Sequence, residues 1–173
     1  MIAERNYLSD PNQVDLLHGT LSGLARMSAI GLGLIVATNQ SGIARGYFDH
    51  RTLRRINKKM ASLLAEGGVV LDGIFVCPHH PDDGCLCRKP QPGLVLQAAA
   101  RLGFDPARSF VIGDKASDLE LGRRIGAFSI LVTTGYGMSV RSSVSAETAD
   151  AVVSSLIEAA AVIERCLRAR ESS

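Results

Sequence analysis

Between positions 77 and 87 the chain reads Cys-Pro-His-His-Pro-Asp-Asp-Gly-Cys-Leu-Cys. A Cys-x-His pair and a Cys-x-Cys pair, separated by a turn, offer four soft or borderline metal donors. Three thiolates and one imidazole close a tetrahedral shell with no open position, which is how structural rather than catalytic zinc is held. Cys77, His79, Cys85 and Cys87 are therefore the expected Zn²⁺ ligands, folding a loop too polar to pack by itself. His80 is left over, because His79 completes the Cys-x-His spacing, and is expected to face solvent or the mouth of a phosphate site. The competing picture, free thiols and a surface histidine, is disfavoured by this local ligand density.

Three further runs suit a phosphoryl group. Thr38-Asn39-Gln40-Ser41-Gly42 combines hydroxyl, amide and glycine groups, so its backbone N–H donors and the Thr38 hydroxyl can wrap an oxyanion. Arg88-Lys89-Pro90 brings two cations directly after the zinc loop, on backbone stiffened by proline. Gly113-Asp114-Lys115-Ala116-Ser117-Asp118 sets two carboxylates four residues apart, a way to bring oxygen ligands to Mg²⁺. Each run alone has a plainer reading: a turn, a solvated surface, a helix cap with Asp118 in its first turn. In this order, each at the end of a strand, they supply hydroxyl, cation and metal ligand to one group.

The elements that must position them follow from periodicity. Short β-rich runs alternate with helical ones, the pattern of a parallel sheet covered by helices on both faces, so the class is α/β and Rossmann-like. Helices are expected over Gly19–Ala29, from an Asp49 cap to about Glu66, over Gly93–Leu102, Ser117–Ile125 and Leu156 to about Ala169. Strands are expected over Leu32–Ala37, Val70–Val76, Ser109–Ile112, Ala127–Val132 and Ala151–Val153, with Cys77–Pro92 irregular. Thr38, Cys77, Asp114 and Thr133 then come where strands stop, the edge at which open α/β sheets bind ligands.

Composition narrows the rest. A chain of 173 residues supports one good core, so a single domain over 1–173 is expected. A net charge of +2 is too small for a nucleic-acid footprint, and Arg51, Arg54, Arg55, Lys58 and Lys59 recur at helical spacing, as a solvated face does. No apolar run reaches the length of a membrane span and the opening residues are not those of a secretory signal, so a cytoplasmic protein is expected. Cys166 stands apart on the last helix as a small apolar side chain. A monomer acting on a small molecule, with neither nucleic acid nor membrane as partner, fits this profile.

Thr38, Lys89 and Asp114 resemble the second, third and fourth motifs of the haloacid dehalogenase superfamily phosphatases. Thr38 to Gly46, Cys77-Pro78-His79-His80 and Cys85-x-Cys87-Arg88-Lys89-Pro90 are similar to the D-glycero-D-manno-heptose 1,7-bisphosphate phosphatase family in particular. So is the opening Glu4-Arg5-Asn6-Tyr7-Leu8, which looks like the stretch after that family's nucleophile motif. The resemblance implies removal of the 7-phosphate from a heptose bisphosphate, on the way to an activated heptose for lipopolysaccharide or surface glycan. It implies that Thr38 holds the phosphoryl oxygens, Lys89 offsets their charge, and Asp114 holds Mg²⁺. Asn39, Gln40, Arg45, Arg88 and Lys115 are the implied substrate contacts, with Mg²⁺ and Zn²⁺ as cofactors.

The family's first motif, Asp-x-Asp-Gly on the first strand, has no counterpart here, and Asp10 and Asp15 lie too far along to replace it. Met1-Ile2 stands where the residues after that Gly fall, so the expectation is a misplaced start, with a Val codon read as Met1. The sheet should then lack its middle strand, between those ending at Thr38 and Asp114, leaving unpaired backbone unless the neighbours close up. Two alternatives accompany the phosphatase: a catalytically inactive, zinc-stabilised sugar-phosphate binder, and a histidinol-phosphate phosphatase, whose family shares the zinc loop.

Overall fold

Leu34 and Gln40 fix how the first strand lies. The Leu34 carbonyl accepts from Asp72 N at 2.8 Å and Gln40 N donates to the Cys77 carbonyl at 2.7 Å, so both backbones face the neighbouring strand. That pair is parallel, β1 (Ile35–Asn39) against β2 (Gly73–Cys77), with Ile35 opposite Gly73 and Asn39 opposite Cys77. The structure, a computed structural model, describes residues 1–3, 5, 7–143 and 148–171. Glu4 and Asn6 of the opening run lie outside the described residues.

A second parallel sheet runs β3 (Phe110–Gly113), β4 (Phe128–Val132) and β5 (Ala151–Val153). Alternation along the strands divides the core between two faces. Val36, Ile74, Ile112, Ile130 and Val132 point to one face, where α1 (Thr20–Ala29), α2 (His50–Glu66) and α6 (Leu156–Glu171) bring Met27, Leu64 and Ile163. Phe75 and Cys77 point to the other, against Leu94 and Ala98 of α3 (Gly93–Leu102), and Leu131 meets Leu119 of α4 (Ala116–Arg124). Helices thus cover both faces, in the α/β arrangement the periodicity predicts.

The expected gap is there. The period of two that turns Leu34 and Gln40 toward β2 turns Ile35, Ala37 and Asn39 to the opposite edge. Phe128 N donates to the Ser109 carbonyl, so the backbones of Phe110 and Ile112 likewise face away from β4. Among the described residues no strand pairs with either outer edge, and the two sheets remain separate. Every residue of β1 and β3 is half-buried, whereas β4 is buried from Ser129 to Val132. The flanking strands have not closed up.

Several boundaries move for local reasons. β1 starts at Ile35 rather than Leu32, and β2 at Gly73 rather than Val70, because the Asp72 carboxylate accepts from Leu34 N at 2.6 Å and Val70 turns to solvent. Asp49 caps α2 as expected, accepting from Thr52 N at 2.7 Å. Arg51, Arg54, Arg55, Lys58 and Lys59 form the exposed face of α2, opposite buried Leu53, Ile56 and Met60. A four-residue helix α5 (Gly137–Val140) follows β4 where no helix was expected. No helix among the described residues is long and apolar enough to cross a membrane.

Candidate metal and phosphate site

The four expected zinc donors converge. Cys77 Sγ lies 3.5 Å from His79 Nδ1 and 3.6 Å from Cys85 Sγ, while Cys87 Sγ lies 3.2 Å from His79 Nδ1 and 3.6 Å from Cys85 Sγ. All four ligand atoms fall within 4.8 Å of one another. A tetrahedral Zn²⁺ with ordinary Zn–S and Zn–N bonds sets its donors about 3.6–3.8 Å apart, so the residues present fit the ion. Cys77 comes from the end of β2, and Gly84, in the left-handed region at φ 61°, lets the loop turn back toward Cys85 and Cys87. His80 is not part of the cluster: it caps the 3₁₀ turn Pro81–Asp83, its backbone N–H donating to Asp83 Oδ2 at 2.8 Å.

Three thiols this close cannot all ionise unaided. Burial pushes the Cys77 thiol up, and burial together with the neighbouring Cys77 and Cys85 sulfurs pushes Cys87 up to about 12. Burial also opposes the Cys85 thiolate, but hydrogen bonds from the Arg88 backbone and from the Cys77 and Cys87 thiols bring it down to about 7. Zinc takes thiolates, so binding at neutral pH must expel the protons that Cys77 and Cys87 retain. Adding Zn²⁺ to the metal-free protein near pH 7 is expected to release about two to three protons per ion, with affinity rising as pH rises. Calorimetry in buffers of different ionisation enthalpy measures this number, and a value near zero excludes thiolate ligation.

The phosphate-handling runs meet beside this loop. The Asn39 side chain clasps Lys89, its Nδ2 donating to the Lys89 carbonyl at 3.1 Å and its Oδ1 accepting from Lys89 N at 3.0 Å. The Lys89 ammonium donates to the Ala37 carbonyl at 2.7 Å, on the open edge of β1, and pairs with Asp118 Oδ1 at 2.7 Å. Gln40 Nε2 donates to Thr38 Oγ1 at 3.0 Å. Thr38, Asn39, Gln40 and Lys89 therefore form one patch at the end of β1. Arg88 reaches the His79 carbonyl at 3.5 Å, on the rim between this patch and the zinc loop. Arg45 is exposed, and no side-chain hydrogen bond among the described residues joins it to the network.

Asp114 stands half-buried just past the end of β3. Its Oδ2 accepts from Tyr136 N at 2.9 Å, and no hydrogen bond among the described residues occupies Oδ1, which suits a carboxylate that donates one oxygen to Mg²⁺. The Lys115 ammonium sits 4.3 Å from the centre of the Tyr136 ring. Met1 also comes into this neighbourhood, its carbonyl accepting from Leu17 N at 3.0 Å. Neither Tyr136 nor Met1 was a sequence-derived candidate. A backbone N–H leaves no trace in residue type, and Met1 reaches the site through the Ile2–Leu16 bridge, a pairing too short to show periodicity.

Strand-end donors, a cysteine and histidine loop and a Gly-Asp turn, gathered on one edge of a parallel sheet, define a haloacid dehalogenase-like hydrolase fold. The HAD-hydrolase-like family matches residues 86–159. A D-glycero-β-D-manno-heptose-1,7-bisphosphate 7-phosphatase of Haemophilus influenzae is 36% identical over 168 residues, covering 92% of this chain and 89% of the relative. The enzyme of that name from Bordetella bronchiseptica is 44% identical over 131 residues, 76% of this chain and 73% of the relative. The crystal structure of D,D-heptose 1,7-bisphosphate phosphatase from B. bronchiseptica, complexed with magnesium and phosphate, superposes with a TM-score of 0.87 at 37% identity, covering 95% of this chain and 92% of that one. The chain belongs to the D-glycero-β-D-manno-heptose-1,7-bisphosphate 7-phosphatase family.

Proposed function

We propose that the protein is a Mg²⁺-dependent phosphatase that removes the 7-phosphate of D-glycero-β-D-manno-heptose 1,7-bisphosphate. The observation that carries this is the half-buried Lys89 ammonium fixed at the end of β1, between the Thr38 loop and the Asp114 turn. Thr38 and the N–H groups after it hold the phosphoryl oxygens, Lys89 offsets their charge, and Arg88 on the rim meets the sugar or its second phosphate. Asn39, Gln40, Arg45 and Lys115 complete the substrate pocket. Mg²⁺ on Asp114 would polarise the phosphoryl group as a Lewis acid. The protein works as a monomeric single domain in the cytoplasm; three of the four cysteines converge as metal donors instead of pairing as disulfides, which supports a reducing compartment.

One observation favours a second reading, a sugar-phosphate binder without turnover. Of the two carboxylates in this network, Asp118 is engaged through both oxygens, by Lys89 and by Lys115 N, and Asp114 is the metal carboxylate. Phosphate release from the heptose bisphosphate, with histidinol phosphate as comparator, separates the readings. The phosphatase reading expects Mg²⁺-dependent release that falls about a hundredfold or more in Asp114→Asn, with zinc content and melting temperature unchanged. Binding without release selects the second reading, and preference for histidinol phosphate overturns the sugar assignment.

A further inference from the structure

The net charge of +2 hides where the charge lies. Arg51, Arg54, Arg55, Lys58 and Lys59 are five of the chain's nineteen lysines and arginines, all exposed on one helix, so the rest of the chain is net negative. We propose that this face of α2 docks the protein on an anionic phospholipid bilayer, through charge alone and without insertion. Surface docking of this kind needs no spanning segment, and none is present among the described helices.

At about 100° per residue the five cations cover an arc of about 140° and about 12 Å of helix length, opposite buried Leu53, Ile56, Met60 and Leu64. From His50 to Ala65 the helix has no acidic residue, and among the described residues none of the five cations enters an ion pair; Asp49, the cap, acts on Arg51 from outside the helix. Such a face works against the helix in two ways. Arg51 with Arg54 and Arg55, Arg54 with Lys58, and Arg55 with Lys58 and Lys59 are like charges three or four residues apart, which repel on a helix surface. The cations also crowd the N-terminal half, with no acidic residue in the first turn, where the helix dipole disfavours positive charge. A solvated face needs neither feature: it mixes signs, as Glu120 and Arg124 do on α4 at 2.6 Å.

A surface of opposite sign relieves both, and the surroundings of the face select which. The arc continues in exposed Ser62 and Ala65, and no large apolar side chain of α2 is exposed, so nothing here wedges between acyl chains or stacks on a base. The flanks carry carboxylates: the Pro11–Gln13 turn, capped by Asp10, packs against α2, and Asp15 and Glu66 border the groove beside Leu63. A nucleic-acid strand wrapping the helix meets those charges, whereas a flat lipid surface touches only the crest of cations. Each cation held near an anionic leaflet adds about fivefold to partitioning.

The test is cosedimentation of the zinc-loaded full chain with sucrose-loaded vesicles, about one third phosphatidylglycerol in phosphatidylcholine, at about 0.1 M salt. The protein is expected to bind these vesicles, to ignore phosphatidylcholine alone, and to leave the anionic ones as salt rises to about 0.5 M. Arg55→Gln/Lys58→Gln/Lys59→Gln is expected to lose about a hundredfold in partitioning, while keeping its zinc and melting no lower than the parent, because it removes repulsion. Arg101→Gln/Arg108→Gln/Arg123→Gln takes the same charge from exposed positions elsewhere and should stay within about twofold of the parent. A parent chain that stays in the supernatant, or that binds both kinds of vesicle alike, overturns the proposal. Equal losses in the two triple variants do so too, since net charge rather than this face would then drive binding. A DNA duplex that strips the protein from the vesicles at equal phosphate concentration gives the face to nucleic acid and likewise overturns it.

Discussion

Cys85→Ser is expected to lose its zinc and to melt well below the parent protein. Cys85 is the hub of the cluster, 3.6 Å from the sulfurs of both Cys77 and Cys87, and a serine hydroxyl is a poor substitute for a thiolate on a borderline-soft ion. Structural zinc contributes about 10–16 kcal/mol of apparent binding energy in small domains, so removing one of four ligands should cost about 3 kcal/mol or more. For a chain of this size that corresponds to a fall in melting temperature of roughly 6–12 °C. The damage should spread, because the loop leads directly into Arg88 and Lys89 and is tied to α3 by the bond from Gly93 N to the Leu86 carbonyl at 3.0 Å. Metal analysis and calorimetry on the purified variant check this. One zinc per chain with an unchanged melt would remove Cys85 from the ligand set.

Lys89→Met is the second large effect, and it acts on the opposite side of the site. Methionine fills the space of the lysine stem but carries neither charge nor donor. Asp118 is then a carboxylate at 5% exposure facing no cation, and the Ala37 carbonyl on the open edge of β1 loses its donor. Removing one partner of a buried ion pair costs about 3–5 kcal/mol, chiefly through the charge left behind. Replacing both, as in Lys89→Met/Asp118→Asn, should recover most of that loss, because no buried charge remains unpaired. Urea unfolding of the two variants and the parent measures the difference. Equal losses in the single and the double variant would mean that the pair does not carry the penalty described.

Much of this was legible in the sequence, because it depends on residue type at short range. α3 and β5 fall where glycine stops and apolar runs place them, and Asp49 announces the start of α2. The four candidate zinc donors are close in sequence, so their spacing was nearly their geometry. Other features depend on partners distant along the chain. The bond from Leu34 N to Asp72 shortens two strands at once, yet neither residue signals the other across 38 positions. Asp118 reads equally as a helix cap or a metal ligand until Lys89, from a separate loop, comes into contact with it. The 3₁₀ turns at Pro11–Gln13 and Pro106–Arg108 had a usable signal, Asp followed by Pro with the Asp side chain accepting two residues on. α5, four residues long and begun without a side-chain cap, had none.

The turn that lays Tyr136 N on Asp114 also places a chromophore there. The chain has no tryptophan and three tyrosines, so its near-ultraviolet emission is tyrosine emission. Two of the three, Tyr7 and Tyr47, pack edge to face at 4.8 Å, while the third has the Lys115 ammonium over its ring and its backbone on the carboxylate assigned to the divalent ion. An ion on the other oxygen of that carboxylate draws charge away from the one that accepts from Tyr136 N, and so changes the electric field at the ring. The protein therefore carries its own optical probe for this position, and occupancy can be followed by light without a label.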